Sequence, residues 1–439
     1  MTALTNRIEV MPKPGAKPVA PTTYFDPARS SYLIQNSRRQ WIPITEVSLR
    51  RHLRPFFRLK KKAELLSPLD AHINKLQTES DVSYAGPLAG AASGLREIYG
   101  RRVLVTEGPV IIQSKEGEWP ILAAVLENLL LDVVIDQRPY FFGWLKVARI
   151  ALISGRPRQG QALVMAGPRD CGKSLVQNII TRLLGGRAAK PYGWMTGATD
   201  FNAELFGAEH LMIEDECAST DLRARRNFGA QLKSVTVNQL QKCHQKNRTA
   251  LSLEPFWRST ITVNDEPENL MVLPPIEDSI EDKLILLRAN RCAMPMPTAT
   301  LTQREAFLAV LVSELPAFCA YLDNWEIPLA LVSERFGVTH YHHPDLLQAI
   351  DELAPETRLL QLIDATCFDG KSSMRVTAQE LESELTANGA LSMYEARRLL
   401  YNQTTCATYL GRLAKKHPER VQQDRTACSR HWLLSKATR

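Results

Sequence analysis

Hydrophobic positions change their spacing in the middle of the chain, and the change predicts a strand, a loop and a helix. Residues 161–166 are predicted as a short buried strand, and residues 175–184 carry apolar side chains at helical spacing. Two more short apolar runs follow at 210–213 and 259–263. Short apolar runs that end in polar residues are typical of buried strands, so the pattern predicts an α/β fold class.

The region before this stretch predicts a small mixed α/β arrangement. A strongly basic helix is predicted over 44–62, and a pair of long apolar helices over 120–135 and 139–153. The short strand-like pieces are 32–35, 103–106 and 110–113. A leader rich in Pro, Lys and Ala precedes them and is expected to be flexible.

Residues 371–439 predict three helices and two closing strands. Two S/T-x-x-E capping boxes start the first two helices. The boxes are Thr377–Glu380 and Ser392–Glu395, the third helix runs from Thr404 or Thr405 to Lys416, and the strands are 420–423 and 431–434. Three helices followed by a hairpin look like a winged helix, although a small protein-docking module has the same pattern.

Composition excludes a disordered tail protein, a collagen and a disulfide-stapled peptide. With 439 residues, 44% hydrophobic and 23% charged, the chain has the balance of a folded cytosolic protein. We expect a cytoplasmic protein with no membrane partner, because the apolar stretch 119–135 is interrupted by Glu127, Asn128 and Asp132. The eight cysteines include no C-x-x-C pair, which argues against a zinc site.

Charge is concentrated at the two ends of the chain. Residues 1–62 hold 13 Lys and Arg against 3 Asp and Glu, and residues 371–439 hold 12 against 6. Because the whole chain carries +7, the middle carries −9. Basic ends flanking an acidic body suggest a polyanionic partner, whereas the alternative is that both ends are simply solvated.

The loop after the first central strand predicts a nucleotide site. Residues 167–174 match G-x-x-x-x-G-K-[ST] between a strand and a helix, the context in which backbone amides surround phosphates. We expect Lys173 to neutralise the β and γ oxygens of ATP and Ser174 to bind Mg²⁺. The predicted nucleotide-binding residues are Gly167, Pro168, Arg169, Asp170, Cys171, Gly172, Lys173, Ser174 and Leu175.

Polar residues at the ends of the next two strands complete this prediction. Glu214, Asp215 and Glu216 follow the run at 210–213, and we assign Asp215 to the metal and Glu216 to the base that orients the attacking water. The alternative is a solvated turn after an edge strand. Asn264 ends the run at 259–263 and is predicted to sense the γ-phosphate or the lytic water, although alone it would be interpreted as a turn residue.

Together these motifs resemble superfamily 3 helicases, hexameric AAA+-type motors of small DNA viruses, phages and plasmids. Gly167 to Asn264 spans 97 positions, which is the compact order of that family, and the likeness is greatest to the helicase halves of phage- and plasmid-type primase-helicases. The resemblance covers 118–365 and implies a P-loop AAA+-like ATPase core, bound ATP and Mg²⁺, and a homo-oligomer, expected to be a hexamer.

The resemblance also implies a basic hairpin that enters the pore of the ring. We predict a helix through Lys233, strands over 236–241 and 248–253, and a turn near 245–247. The predicted DNA-binding residues near its tip are Lys242, His244, Lys246 and Arg248, and Lys246 falls where the family has its pore cation. The alternative is an exposed basic turn.

The family usually supplies an arginine finger from the neighbouring subunit, and this chain departs from that pattern. No arginine lies between Asn264 and Arg288. Lys283 and Arg288 are the leading candidates, and the others are Arg291, Arg223, Arg225 and Arg226.

In the winged-helix interpretation the third helix meets duplex DNA. The predicted contacts on that helix are Arg412, Lys415 and Lys416, with Arg425 and Arg430 on the wing. We expect a flexible leader (1–22), an N-terminal basic α/β domain (23–116), a helicase core (117–300), a helical connector (301–370) and a winged-helix-like domain (371–439).

The sequence therefore predicts an ATP-dependent ring helicase that replicates a mobile genetic element and acts on single-stranded and forked DNA. Residues 1–116 show neither clustered acids nor zinc ligands, so a primase is expected on another chain, as are a polymerase or an initiator. The alternatives are an AAA+-like helicase loader and an origin-binding initiator without unwinding activity.

Overall fold

The computed structural model of the chain describes most of its length. The described residues are 20–59, 61, 65–133, 135–214, 222–246, 249–274, 276, 279–352, 354–368, 370–390, 393–402, 404–425 and 430–436. Residues 1–19 of the predicted leader and the second predicted capping residue, Ser392, lie outside them.

In the N-terminal region, the described residues form two small sheets and two α-helices. The elements are β1 (Thr23–Asp26), β2 (Ser31–Gln35), β3 (Trp41–Ile44), α1 (Glu46–Leu53), α2 (Pro68–Glu79), β4 (Tyr84–Gly86), β5 (Gly94–Ile98) and β6 (Arg101–Val105). One sheet has the antiparallel order β1-β2-β3, and the other has the order β4-β6-β5. The predicted strands at 32–35 and 103–106 are confirmed.

Two predictions for this region are wrong. The basic helix expected over 44–62 ends at Leu53 and is followed by a 3₁₀ turn, Arg54–Phe56, because Pro55 has no N–H to continue the helix. Residues 110–113 form no strand; the Val110 N–H donates to the Gly185 carbonyl, which ties this segment to the central region instead.

The central region is a parallel sheet covered by helices. Its elements are α3 (Pro120–Leu130), α4 (Arg138–Ser154), β7 (Ala162–Ala166), α5 (Lys173–Leu183), β8 (Ala188–Ala189), α6 (Tyr192–Thr196), β9 (His210–Glu214), α7 (Leu222–Val237), β10 (Gln241–Cys243), β11 (Leu251–Leu253), β12 (Arg258–Val263), α8 (Pro267–Leu270), β13 (Leu284–Arg288), α9 (Leu301–Asn324), β14 (Tyr341–His342) and α10 (Pro344–Glu352). The sheet order is β14-β13-β7-β12-β9-β8, and every pair is parallel.

Both faces of this sheet are buried, which explains why its strands appear in the sequence as continuous apolar runs. Along β7, Leu163 and Met165 pack into one core cluster with residues of α3, α4, α5 and α9. Val164 and Ala166 pack into a second cluster on the other face, because successive side chains of a strand point to opposite sides. The predicted α/β class with a central sheet is therefore confirmed.

The two predicted apolar helices are present as α3 and α4, although α3 ends at Leu130. A buried carboxylate caps its start: the Ile121 and Leu122 N–H groups donate to the Glu314 carboxylate of α9 at 3.2 and 2.7 Å. By length and composition α9 is apolar enough to cross a membrane, and half of that apolar window is buried in the fold. Leu311 and Phe318 of α9 lie in the first core cluster, as expected for a core helix.

A fully buried carboxylate joins the N-terminal region to the central sheet. Glu209 immediately precedes β9 and forms an ion pair with Arg187, with a 3.0 Å hydrogen bond from the Arg187 Nε–H. The same carboxylate accepts a 2.8 Å hydrogen bond from the Gly90 N–H of the N-terminal region. Arg187 also donates to the carbonyls of Leu88 and Glu107. The Glu209 carboxylate thus links the two regions through a hydrogen bond and an ion pair.

The predicted hairpin is present with different limits. Strands β10 and β11 are antiparallel and have three residues each. Thr236, predicted to start the first strand, lies in α7 instead, where its hydroxyl donates to the Leu232 carbonyl at 3.0 Å. Helix α7 therefore continues beyond Lys233 to Val237.

The part of the C-terminal region that the structure describes forms four helices and a three-stranded sheet. Its elements are α11 (Pro355–Thr366), β15 (Ser373–Thr377), α12 (Ala378–Thr386), α13 (Met393–Leu399), α14 (Thr405–Lys416), β16 (Val421–Arg425) and β17 (Arg430–Ser435). The sheet has the antiparallel order β15-β17-β16. The Thr377 capping box and both closing strands are confirmed, whereas β15 was not predicted. Leu359 and Ile363 of α11 belong to the same core cluster.

Candidate functional site

The loop between β7 and α5 has a backbone that only glycine permits at two positions. A Cβ atom on Gly167 would lie 2.1 Å from the Ala289 carbonyl oxygen, and Gly172 has a φ of +108°. Gly172 precedes α5, and no side chain caps the first N–H groups of this helix. A helix N-terminus without a side-chain acceptor is suited to bind an anion.

The ammonium group of Lys173 lies inside this loop. It donates to the carbonyl oxygens of Gly167 and Pro168, both at 2.7 Å, and to the Asn264 side-chain oxygen at 3.2 Å. Only 6% of Lys173 is exposed. The structure therefore brings together two residues that are 91 positions apart, both of which were predicted to surround the γ-phosphate.

Sheet order explains this contact. Strand β12 lies between β7 and β9, with Val263 opposite Ala166 and Thr262 opposite Glu214. Because the three strands are parallel, the loop, Asn264 and Glu214 at the end of β9 all lie at the same edge of the sheet. The Glu214 carboxylate lies 3.2 Å from the Lys190 ammonium. Asp215 and Glu216 lie outside the described residues, so their roles stay predictions.

The other loop residues surround this cation or face solvent. Ser174 is exposed at the start of α5, and its hydroxyl could bind a metal ion next to the loop. Cys171 is buried, with its Sγ 3.8 Å from the Lys173 Nζ, as fits a small residue inside the loop. Arg169 and Asp170 are exposed and interact with each other at 3.6 Å. Pro168 and Leu175 are half-buried.

Behind the loop is a buried polar network that the sequence analysis did not identify. The Gln177 amide group of α5 donates to the Thr260 hydroxyl at 2.8 Å and to the Ile213 carbonyl at 3.3 Å, and it accepts from the Thr262 hydroxyl at 3.2 Å. It thereby links the helix that carries Lys173 to both β9 and β12. The signal in the sequence was the pair Thr260 and Thr262 within a run predicted as a buried strand.

His210 extends this network. Its Nδ1 lies 2.7 Å from the Thr181 hydroxyl and its Nε2 lies 2.7 Å from the Thr260 hydroxyl. Burial lowers the pKa of His210 to about 3, because the apolar surroundings disfavour the charged imidazolium. The ring is therefore neutral at physiological pH. It links α5 to β12 through hydrogen bonds to the two threonine hydroxyls.

The candidate finger residues occupy different edges of the sheet. Lys283 precedes β13 at the edge opposite the loop, is 7% exposed and pairs with Asp282. Arg288 ends β13 beside Ala166, so it lies at the edge of its own loop, and its guanidinium lies 2.6 Å from the Asp345 carboxylate.

The remaining finger candidates are spread over two segments. Arg291 and Arg226 are exposed, whereas Arg225 of α7 is half-buried, and burial lowers its pKa. The Arg223 side chain lies outside the described residues. No single candidate is favoured by its contacts, and each stays a prediction.

The hairpin is held in place by Asn202. The Asn202 amide group donates to the Lys242 carbonyl at 2.9 Å and accepts from the His244 N–H at 2.7 Å, and its own N–H donates to the His244 carbonyl at 3.2 Å. The Lys242 and Lys246 side chains are exposed. The His244 ring contacts the Phe201 ring, with centroids 5.2 Å apart. Arg248 lies outside the described residues.

The basic residues of α14 face the body of the protein. Arg412 lies 3.5 Å from the Glu356 carboxylate of α11, and Lys416 lies 2.7 Å from the Asp351 carboxylate of α10. Together with Lys415 they line a cavity of about 550 Å³ between α14 and the central region. The acids of α10 and α11 attract Arg412 and Lys416, and the contacts of this helix with duplex DNA stay predictions. On the predicted wing, Arg430 is exposed, and the Arg425 side chain lies outside the described residues.

Comparison with solved structures finds a similar fold over nearly the whole chain. The apo structure of the NrS-1 C terminal region (305–718) is 13% identical, with 94% of this chain and 96% of that chain covered and a TM-score of 0.54. An A form apo structure of the same region gives 12% identity, coverage of 95% and 96%, and a TM-score of 0.51. At this identity the likeness concerns the fold alone.

A structure of JCV helicase is also similar in part, at 14% identity, with 56% of this chain and 70% of that chain covered and a TM-score of 0.25. A TM-score this low supports no conclusion about the fold. No family model matches the chain, and no curated protein matches it.

Proposed function

We propose that this chain is an ATP-dependent, ring-forming DNA helicase of the superfamily 3 type that replicates a mobile genetic element. The observation that carries the proposal is the contact between Lys173 and Asn264 at the loop between β7 and α5. The loop, Glu214 at the end of β9 and Asn264 lie at the same edge of the sheet. This is the arrangement that hydrolysis of a triphosphate requires.

The described residues fit a bound nucleotide. Glycine at 167 and 172 allows the backbone to surround phosphates, and the uncapped start of α5 supplies N–H donors. Lys173 would exchange its carbonyl partners for β and γ oxygens. Ser174 and Asp215 would hold Mg²⁺, which when bound neutralises charge on the β and γ oxygens.

Hydrolysis also requires an activated water and a cation that stabilises the transferring phosphoryl group. In this proposal Glu216 orients the water, and Asn264 donates from its amide group to the water or the γ-phosphate. A neighbouring subunit would supply the cation, so the nucleotide would lie between two subunits of a ring. Lys283 and Arg288 stay the leading candidates for this cation.

The hairpin is the proposed contact with single-stranded DNA. Exposed lysines at 242 and 246 suit backbone phosphates, which carry no sequence information, so a motor can follow any strand. The fold shared with the NrS-1 C terminal region supports the architecture in which this hairpin is placed. Priming would be performed by a separate chain in the cytoplasm.

The test measures ATP turnover, ATP binding and unwinding of a forked duplex. We expect single-stranded DNA to stimulate turnover, Glu216→Gln to bind ATP without turnover, and Lys246→Ala to lose unwinding while retaining basal turnover. Turnover without unwinding in the unmodified chain would identify a loader or initiator instead. A chain that neither binds nor hydrolyses ATP with Mg²⁺ and DNA would overturn the proposal.

A further inference from the structure

A groove of about 510 Å³ separates the hairpin from the N-terminal region. Residues 244–246 of the hairpin line one side, and Arg29 and residues 84–87 line the other. Phe201 and Glu204 also contribute to the lining. The groove therefore begins at the proposed DNA contact and continues onto a part of the chain to which no role has been given.

Each side of the groove presents a cation. Lys246 is exposed on the hairpin side. Arg29 lies in the turn between β1 and β2, and 43% of its side chain is exposed. Its guanidinium is anchored 3.7 Å from the Asp26 carboxylate and donates to the Ala85 carbonyl at 3.4 Å. These contacts fix the direction of the side chain and leave other N–H donors of the guanidinium for a ligand.

Both walls are held by hydrogen bonds within the fold. Asn202 fixes the backbone of the hairpin at Lys242 and His244. On the other wall, the Tyr84 hydroxyl donates to the Pro87 carbonyl at 2.7 Å. The Glu209 carboxylate joins the N-terminal region to the central sheet through Gly90. A preformed groove does not have to be ordered when a ligand binds, which lowers the cost of binding.

We propose that this groove holds single-stranded DNA beyond the hairpin, with Arg29 as a phosphate contact in the N-terminal region. The inference rests on the proposed function, because the hairpin must first bring the strand to the groove. Cations on both sides match a phosphate backbone, and the exposed ring of Phe201 beside His244 offers a surface on which a base can stack.

The experiment measures binding of a fluorescein-labelled oligo(dT) to the full chain over a range of salt concentrations. Each phosphate contact on a single strand contributes about 0.7 to the slope of log K against log salt. We expect Arg29→Ala to bind several-fold more weakly and to reduce the slope by about 0.7, whereas Arg29→Lys keeps the slope of the unmodified chain.

Arg38→Ala is the matched control. Arg38 is exposed in the turn between β2 and β3, at the opposite end of β2 from Arg29. Its removal lowers the net charge equally but should leave the slope unchanged. Equal slopes for Arg29→Ala and Arg38→Ala would overturn the inference, and so would weaker binding by Arg29→Ala with an unchanged slope.

A parallel measurement on Lys246→Ala separates the two proposals. If Lys246→Ala weakens binding and Arg29→Ala does not, the hairpin contact stands and the groove does not hold DNA. If neither substitution changes affinity or slope, the proposed DNA contact of the hairpin fails together with the groove.

Discussion

The loop that holds Lys173 and the basic end of α14 both concentrate positive charge, but their cations have different partners. Lys173 is 6% exposed, and its described partners are uncharged carbonyl and amide oxygens. The Lys416 side chain is 33% exposed and lies 2.7 Å from a carboxylate. A buried cation held by neutral oxygens retains its attraction for an incoming anion, whereas a cation as close to a carboxylate as Lys416 has lost much of it. The comparison favours the loop as the site of phosphate chemistry.

The largest effect is expected from Lys173→Ala. If the loop binds a triphosphate, loss of this ammonium should lower ATP turnover by at least about 100-fold, because no other described side chain contacts both the loop and Asn264. Steady-state ATPase assays measure the effect. Lys416→Ala is the control and should keep its turnover within about twofold. Equal losses in the two variants would remove the distinction between the sites.

The next largest effect is expected from Gln177→Leu. This change leaves the Thr262 hydroxyl and the Ile213 carbonyl without the Gln177 amide group in a buried position, and we expect the free energy of unfolding to fall by about 2 kcal/mol. Urea denaturation measures the loss. Asn178→Ala, on the exposed side of the same helix, should lose less than about 1 kcal/mol. A similar loss in both variants would show that the network does not stabilise the sheet.

A pH dependence of similar size is expected from His210. Its pKa is about 3 in the folded chain and about 6.5 when unfolded, so between these values the unfolded state binds more protons. Stability from the neutral ring is therefore fully present above pH ~6.5 and is lost as the pH falls. Between pH 7 and pH 5 the unmodified chain should lose about 2 kcal/mol more than His210→Gln. Identical pH profiles would contradict a buried neutral imidazole.

The smallest effect is expected from the ion pair between Lys416 and Asp351. Because both side chains are more than 30% exposed, solvent screens the pair, and a double-mutant cycle with Lys416→Ala and Asp351→Ala should give a coupling energy of about 0.5 kcal/mol. Thermal or urea unfolding measures the coupling. A coupling energy above about 2 kcal/mol would contradict a solvent-screened ion pair.

Local backbone chemistry made much of the central fold predictable. The G-x-x-x-x-G-K-S loop requires a strand before it and a helix after it, and both are present within two residues of their predicted limits. The basic helix is shorter than predicted because Pro55 has no backbone N–H to continue it. This proline was visible in the sequence. Strand β15 was missed although Met374 and Val376 alternate with polar residues, because the strand has only five residues and none of its side chains is fully buried.

Long-range packing decided what could not be predicted. The position of Gln177 on an amphipathic helix gave no indication that its amide group would meet two threonines of β12 and a carbonyl of β9. The direction of Arg412 and Lys416 likewise depends on where α10 and α11 place their acids. A cluster of basic residues in a sequence indicates charge, but its partner is set by the tertiary fold.

The Glu209 carboxylate fixes the N-terminal region to the central sheet, so in the proposed motor the two would move together. Glu209 is the residue before β9, the strand that leads to the proposed catalytic acids, so a movement of β9 would pull Gly90 and Arg187 with it. Any shift of β9 during the proposed hydrolysis cycle would then displace the groove wall that contains Arg29. A chain shortened to begin after residue 116 would lose Gly90 and expose the carboxylate that now fastens the two regions together.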